Sequence, residues 1–213
     1  FRNVTGVQTC ALPISAKDAL DISQEPEHIH RLYGLDREET RSYGERCLIA
    51  RRLVERGVRF VQLFLSSQPW DNHQGIHKGL PAICRRTDQP SAALVLDLKQ
   101  RGLLDSTIVH WGGEIGRLPV CEGELNEAAG RDHNGQGFSI WLAGGGFKPG
   151  IAFGETDEVG HRAAVNVITP NDFQATILNQ LGLDHSKLVY HSSGRAQRLT
   201  DGRPARVVQE ILA

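Results

Sequence analysis

The clearest amphipathic pattern in the chain is "TRSYGERCLIARRLVERG" from Thr40. Cys47, Leu48, Ala50, Leu53 and Val54 recur there at helical spacing, and Gly57 follows where a helix would stop. Upstream, "ISQEPEHIHRLYG" predicts a short helix with Ser23 as N-cap, Pro26 and Glu27 in the first turn, Gly34 as the stop, and His28 and His30 on its surface. The pattern then changes to an unbroken apolar run, "VRFVQLFL", which reads as a buried strand. Residues 79–86 suit one short helix, and "DQPSAALVLDLKQRGLL" suits a second, capped near Asp88 and ended by Gly102. "STIVHWGG" and "FSIWLAGGGF" read as two more strands, and "PNDFQATILNQLG" as a last helix with Asn171 or Asp172 as cap and Gly182 as stop. Helices alternating with strands predict an α/β fold with a mostly parallel sheet, where ligands bind beyond the carboxyl ends of the strands.

A chain of 213 residues, 39% of them hydrophobic, suits one compact domain. The 24 Lys and Arg nearly cancel the 25 Asp and Glu and form no basic block, so nothing points to nucleic acid or an anionic membrane surface. No apolar run approaches the ~18 residues of a membrane span. The first fifteen residues, "FRNVTGVQTCALPIS", show neither helical nor strand period. Back-translated, Val4 to Ile14 resembles a short-read sequencing adaptor, so residues 1–15 are expected to be a cloning or assembly scar and 16–213 the natural domain. Without Cys10, the remaining Cys47, Cys84 and Cys121 are odd in number and widely spaced, which implies neither a disulfide framework nor a CxxC metal site.

The candidate chemistry sits in three loops. "SSQPWDNHQGIH" carries Asp71 and His73 after the first apolar run, Glu114 follows "STIVHWGG", and "LPVCEGELNEAAGRDHNGQG" carries Asp132 and His133. Carboxylates and neutral imidazoles are the ligands of Zn²⁺ and similar divalent ions, and three loops at one end of a sheet could aim them at a common point. The spacing matches no tight metal motif, so ordinary loop hydrogen bonding is the alternative. His77 is either a further ligand or an exposed residue of the following helix. Asp157 and His161 of "GETDEVGH", with Arg117, could support the ligands from behind, although a turn accounts for the first two as simply. His110, inside "TIVHW", reads as a hydrogen-bonded core histidine. The glycines 144–146 lack a phosphate-loop frame, and Ser66, Ser67 and Ser139 lack the GxSxG context of a nucleophile elbow.

Taken in order, "EPEHIHRLYG", "LIARRLVERGVRFVQLF", "WDNH", "GLLDSTIVHWGGEIGR", "GRDHN", "FSIWLAGGGFKPG" and "TDEVG" resemble domain-of-unknown-function family 1501. That bacterial family lies in the sulfatase-like branch of the alkaline phosphatase superfamily. The resemblance covers 16–213 and corresponds to the family's C-terminal half. It implies a three-layer α/β/α sandwich with a mostly parallel sheet, truncated at its N-terminal side. It also implies a metal-dependent hydrolase site for sulfate or phosphate esters, small-molecule or glycan, holding Zn, Ca, Mg or Mn. Asp71, His73 and His133 match one metal's ligands, with Asp132 beside them. Glu114 matches the acid of the superfamily's second metal signature, and Ile115 stands where a His or Asn is usual. The superfamily's nucleophile and first metal-binding Asp lie in the N-terminal half, so the fragment is expected to be inactive alone. The alternative is a noncatalytic, surface-associated or binding module of the same fold, which Ile115 favours. Family resemblance also implies periplasmic or exported residence.

Overall fold

The computed structural model describes residues 16–65, 67–200 and 202–213. The expectations for residues 1–15 and for Ser66 therefore lie outside the described residues. The chain divides into two compact units. The first contains the described residues up to Thr107 together with Glu122–Gly130, and the second contains those of Ile108–Cys121 and Arg131–Ala213.

The first unit is helical. After α1 (Ala16–Leu20) and a 3-10 turn (Ile22–Gln24) come α2 (Glu27–Leu32), α3 (Glu38–Glu55) and α4 (Ile76–Gln100). The pattern seen from Thr40 becomes α3, whose buried face includes Cys47, Leu48 and Ala50. These pack with Ile29, Tyr33 and Ala93 into one core. Gly44 is required where α3 passes the end of α2, because a Cβ there would stand 2.2 Å from the Tyr33 carbonyl oxygen. α2 starts after Pro26 rather than at Ser23, since the Asp21 carboxylate takes the Ser23 amide and closes the 3-10 turn first. His28 is exposed as expected, whereas His30 is half-buried with Nε2 3.0 Å from the Ile22 carbonyl oxygen.

Where two helices are expected over 79–102, one continuous helix forms. Pro81 and Pro90 lie inside α4. Each ring forfeits the amide bond it cannot make, but Ile83, Thr87, Pro90, Ala93, Asp97 and Leu98 keep one buried face at helical spacing along the whole length. That shared face carries the helix past both prolines.

Among its described residues, the second unit holds four two-stranded antiparallel sheets, one α-helix and a 3-10 turn (Gln209–Ile211). β1 (Val109–Trp111) pairs with β4 (Trp141–Ala143), which sets Trp111 opposite Trp141 with indoles parallel and 6.4 Å apart. β2 (Gly116–Arg117) pairs with β3 (His133–Asn134), and β5 (Glu155–Thr156) with β6 (Ala163–Val165). The hairpin of β7 (Val189–Ser192) and β8 (Arg195–Arg198) turns through Ser193 and Gly194, both at positive φ, as a two-residue turn matched to strand twist requires. Helix α5 (Pro170–Gln180) is capped by Thr169. Asp172 is its third residue rather than its cap, and closes a reciprocal capping box. The core here is Phe147, Val208, Ile211 and Leu212, with Ile108, Leu142 and Ile177 against it.

The expected three-layer α/β/α sandwich with a mostly parallel sheet is therefore incorrect: every strand pair among the described residues is antiparallel and two-stranded. Two reasons are visible. "VRFVQLFL" belongs to no strand or bridge, and Phe60 and Phe64 are 79% and 67% exposed. The segments "STIVHWGG" and "FSIWLAGGGF" do contain β1 and β4, but the chain between them holds only short strands. A parallel pair needs a long crossover, usually a helix. No helix among the described residues is long and apolar enough to cross a membrane.

Candidate metal centre

The loop that leads into α4 positions the first donors. The Asp71 amide donates to the Gln68 carbonyl at 3.1 Å, and the Asn72 side chain to the Pro69 carbonyl at 3.3 Å, which curls 68–72 into a turn. Asp71 and His73 emerge from it side by side, with Oδ1 of Asp71 3.1 Å from Nε2 of His73. The other ring nitrogen, Nδ1, lies 2.7 Å from Oε2 of Glu122. The imidazole is thus held between two carboxylates, all three side chains being partly exposed. A cavity of about 360 Å³ opens beside them, lined by His73, Gln74, Glu122, Glu124 and Asn126 among others.

Glu122 reaches His73 from the stretch 122–130, which closes on itself through the Glu122 amide and the Gly130 carbonyl, 2.9 Å apart. The carbonyls of Ala128 and Ala129 accept from the amides of Gly75 and Ile76 at 3.0 and 3.1 Å. Those amides sit at the start of α4, where no helical partner exists, so the stretch serves as the helix's backbone cap. Gly130 lies so close to the 72–73 backbone that a Cβ would stand 2.1 Å from the His73 carbonyl oxygen.

In the second unit, Glu114 is exposed in the bend between β1 and β2. Asp132 is exposed and its Oδ1 accepts the His133 amide at 2.6 Å, while His133 is exposed on β3 opposite Arg117 of β2. Buried Asn134 ties this strand down: its side chain donates to the His161 carbonyl at 2.6 Å and accepts from the Gln136 amide at 2.9 Å. Asp157 accepts the His161 amide at 2.7 Å and pairs with Arg162 at 3.6 Å, so Asp157 and His161 build a turn. The His161 backbone bond is the main cause that holds the Asp157 carboxyl below its usual range. The Arg117 guanidinium donates to the Gly116 carbonyl at 3.2 Å. His77 is exposed on the first turn of α4. His110 is not a core residue: it is exposed on β1, its ring 5.0 Å from that of Phe173, and the desolvation it does experience lowers its pKa. Cys47, Cys84 and Cys121 form no disulfide among the described residues, and burial pushes the Cys47 thiol up to about 12.

A family model described as "Protein of unknown function (DUF1501)" matches residues 5–212. The chain belongs to that family. No curated protein and no solved structure matches it. Within this DUF1501 chain, the Asp71 and His73 pair has the donor chemistry and spacing of two neighbouring ligands. Donors at ~2.0–2.2 Å from one ion, at angles between octahedral and tetrahedral, stand about 2.8–3.6 Å apart, and 3.1 Å falls in that interval. Glu122 and Asn134 escaped the sequence reading. Glu122 shares its loop with Glu124 and Glu127, and nothing in the spacing of these acids tells which one faces a histidine. Asn134 follows "RDH" directly, and its burial gave no sequence signal.

Proposed function

We propose that the chain binds a divalent metal ion through Asp71 and His73 and serves in the metal-assisted hydrolysis of sulfate or phosphate esters, small-molecule or glycan. What carries the reading is the opposed Asp71 Oδ1 and His73 Nε2 pair, two hard or borderline donors at ligand spacing on a turn fixed by its own backbone bonds. The assignment of sulfate or phosphate esters rests on the resemblance to sulfatase-like enzymes, a resemblance of residues and not of the sheet. When bound, such an ion polarises an ester oxygen or lowers the pKa of a bound water. The protein's part is to hold the Asp71 carboxylate and the His73 imidazole in one orientation. The second reading is a noncatalytic metal-binding module, and Ile115, in place of a ligand-type residue, favours it.

Titration calorimetry with Zn²⁺ and Mn²⁺ tests the metal. Asp71→Ala and His73→Ala are expected to lose more than the ~10–100-fold that removal of a supporting residue costs, whereas His77→Ala keeps wild-type affinity. Equal affinities across the three variants would remove the site. Turnover of nitrophenyl sulfate or nitrophenyl phosphate by the metal-loaded protein supports the hydrolase, and tight metal binding without turnover supports the module.

A further inference from the structure

A ligating imidazole can present either nitrogen, and what the other nitrogen touches decides which. His73 has Nε2 toward Asp71, at 3.1 Å, and Nδ1 toward Glu122, at 2.7 Å. Nε2 faces Asp71, the other donor of the metal reading above. We propose that Glu122 is a positioning residue: its carboxylate accepts the Nδ1 proton of His73, which fixes the ring's tautomer and rotation and reserves the Nε2 lone pair for the ion shared with Asp71. The inference rests on the metal reading above and names the residue that orients its histidine.

An exposed glutamate holds little by chance contact, because a mobile side chain loses rotamer entropy for each bond. Glu122 differs because its backbone is anchored on the segment that carries His73. The 122–130 stretch caps α4 through Ala128 and Ala129, closes at Glu122 and Gly130, and packs Gly130 onto the His73 carbonyl. Donor and acceptor are therefore mounted on one hydrogen-bonded piece of the first unit. The backbone bonds do not depend on the Glu122 side chain, so its truncation removes the contact to Nδ1 and leaves the loop closed.

The experiment is ¹⁵N NMR of the imidazole of His73, assigned against His73→Ala, in wild type, Glu122→Ala and Glu122→Gln, without metal at alkaline pH and then with Zn²⁺. The expected wild-type signature is protonated Nδ1 in the free protein and Zn²⁺ on Nε2. Glu122→Ala is expected to give mixed tautomers and ~10–100-fold weaker Zn²⁺ binding. Glu122→Gln, which keeps a neutral acceptor, should restore the tautomer and part of the affinity. Zn²⁺ on Nδ1, or an unchanged tautomer and affinity in Glu122→Ala, would overturn the proposal. If wild type bound no Zn²⁺, the metal reading would fall on its own, and the metal-free spectra would still decide whether Glu122 sets the ring.

Discussion

Arg51 in the first unit and Val208 in the second are both fully buried, at 1% and 0% exposure, yet their surroundings have little in common. Arg51 lies among carboxylates: Asp97 at 2.9 Å, Glu25 at 2.8 Å and Glu55 at 2.7 Å, with the Tyr33 hydroxyl donating to Asp97 and Arg101 closing the far side of both Asp97 and Glu55. Arg52 adds donors to Glu25 and to the carbonyls of Asp18 and Ala19. Val208 sits instead among Phe147, Ile211 and Leu212, and its amide is met by the Thr176 hydroxyl at 3.0 Å. A helical unit stitched by buried charge should be brittle to the loss of one partner, because the charges left behind stay desolvated. A unit closed over hydrocarbon loses only transfer energy and packing.

The largest expected effect breaks the first pattern. Arg51→Met leaves Asp97 and Glu25 without their central cation and should cost about 3–5 kcal/mol. Val208→Ala should cost nearer ~2 kcal/mol. Urea unfolding read through hydrogen exchange in α3 and in α5 separates the two, and similar costs in both units would erase the contrast.

Acid probes the same difference more gently. Burial disfavours the charge of Glu25, but hydrogen bonds and charge from Arg51 and Arg52 outweigh it and lower its pKa. For Asp172, burial is again outweighed, here by the Arg206 amide and by Thr169. A carboxyl lowered in the folded state adds stability above its unfolded pKa and loses it as pH falls through the folded value. Both units should therefore weaken as pH drops below about 4. Glu25→Gln should flatten that loss in α3 while leaving the slope in α5, and Asp172→Asn should do the reverse. Amide exchange measured from pH 5 to pH 2 checks it, and a common slope shared by both variants would mean that other carboxyls govern acid loss.

What could be read from sequence follows from how local each cause is. α3 and the stops at Gly57 and Gly182 depend on spacing and capping inside a few turns, and they form as the pattern says, while the cap of α5 falls two or three residues before the expected one. The continuity of α4 depends on partners for its buried face, which a rule about Pro81 and Pro90 does not contain. Strand direction depends on what joins β1 to β4, and apolar period carries no information about it. At the site, Asp71 and His73 could be named because they are two apart on one loop. Glu122 could not, since 49 residues separate it from the imidazole it touches.

The smallest expected effect concerns the run that misled most. If "VRFVQLFL" were a strand buried on both faces, replacing either phenylalanine with a polar residue would cost roughly what core Phe truncations do, about 3–5 kcal/mol. The structure instead exposes Phe60, Gln62 and Phe64 and half-buries Val61, Leu63 and Leu65, so burial alternates along the run, and Leu63 packs against the first unit's core. Phe60→Ser and Phe64→Ser should stay within about 0.5 kcal/mol of wild type, as surface changes do, while Leu63→Ala should cost more than either. Denaturant midpoints for the three variants decide it. A loss above about 2 kcal/mol at Phe60 or Phe64 would mean that the apolar run is covered on both faces after all, and that the sequence pattern described the segment better than its exposure does.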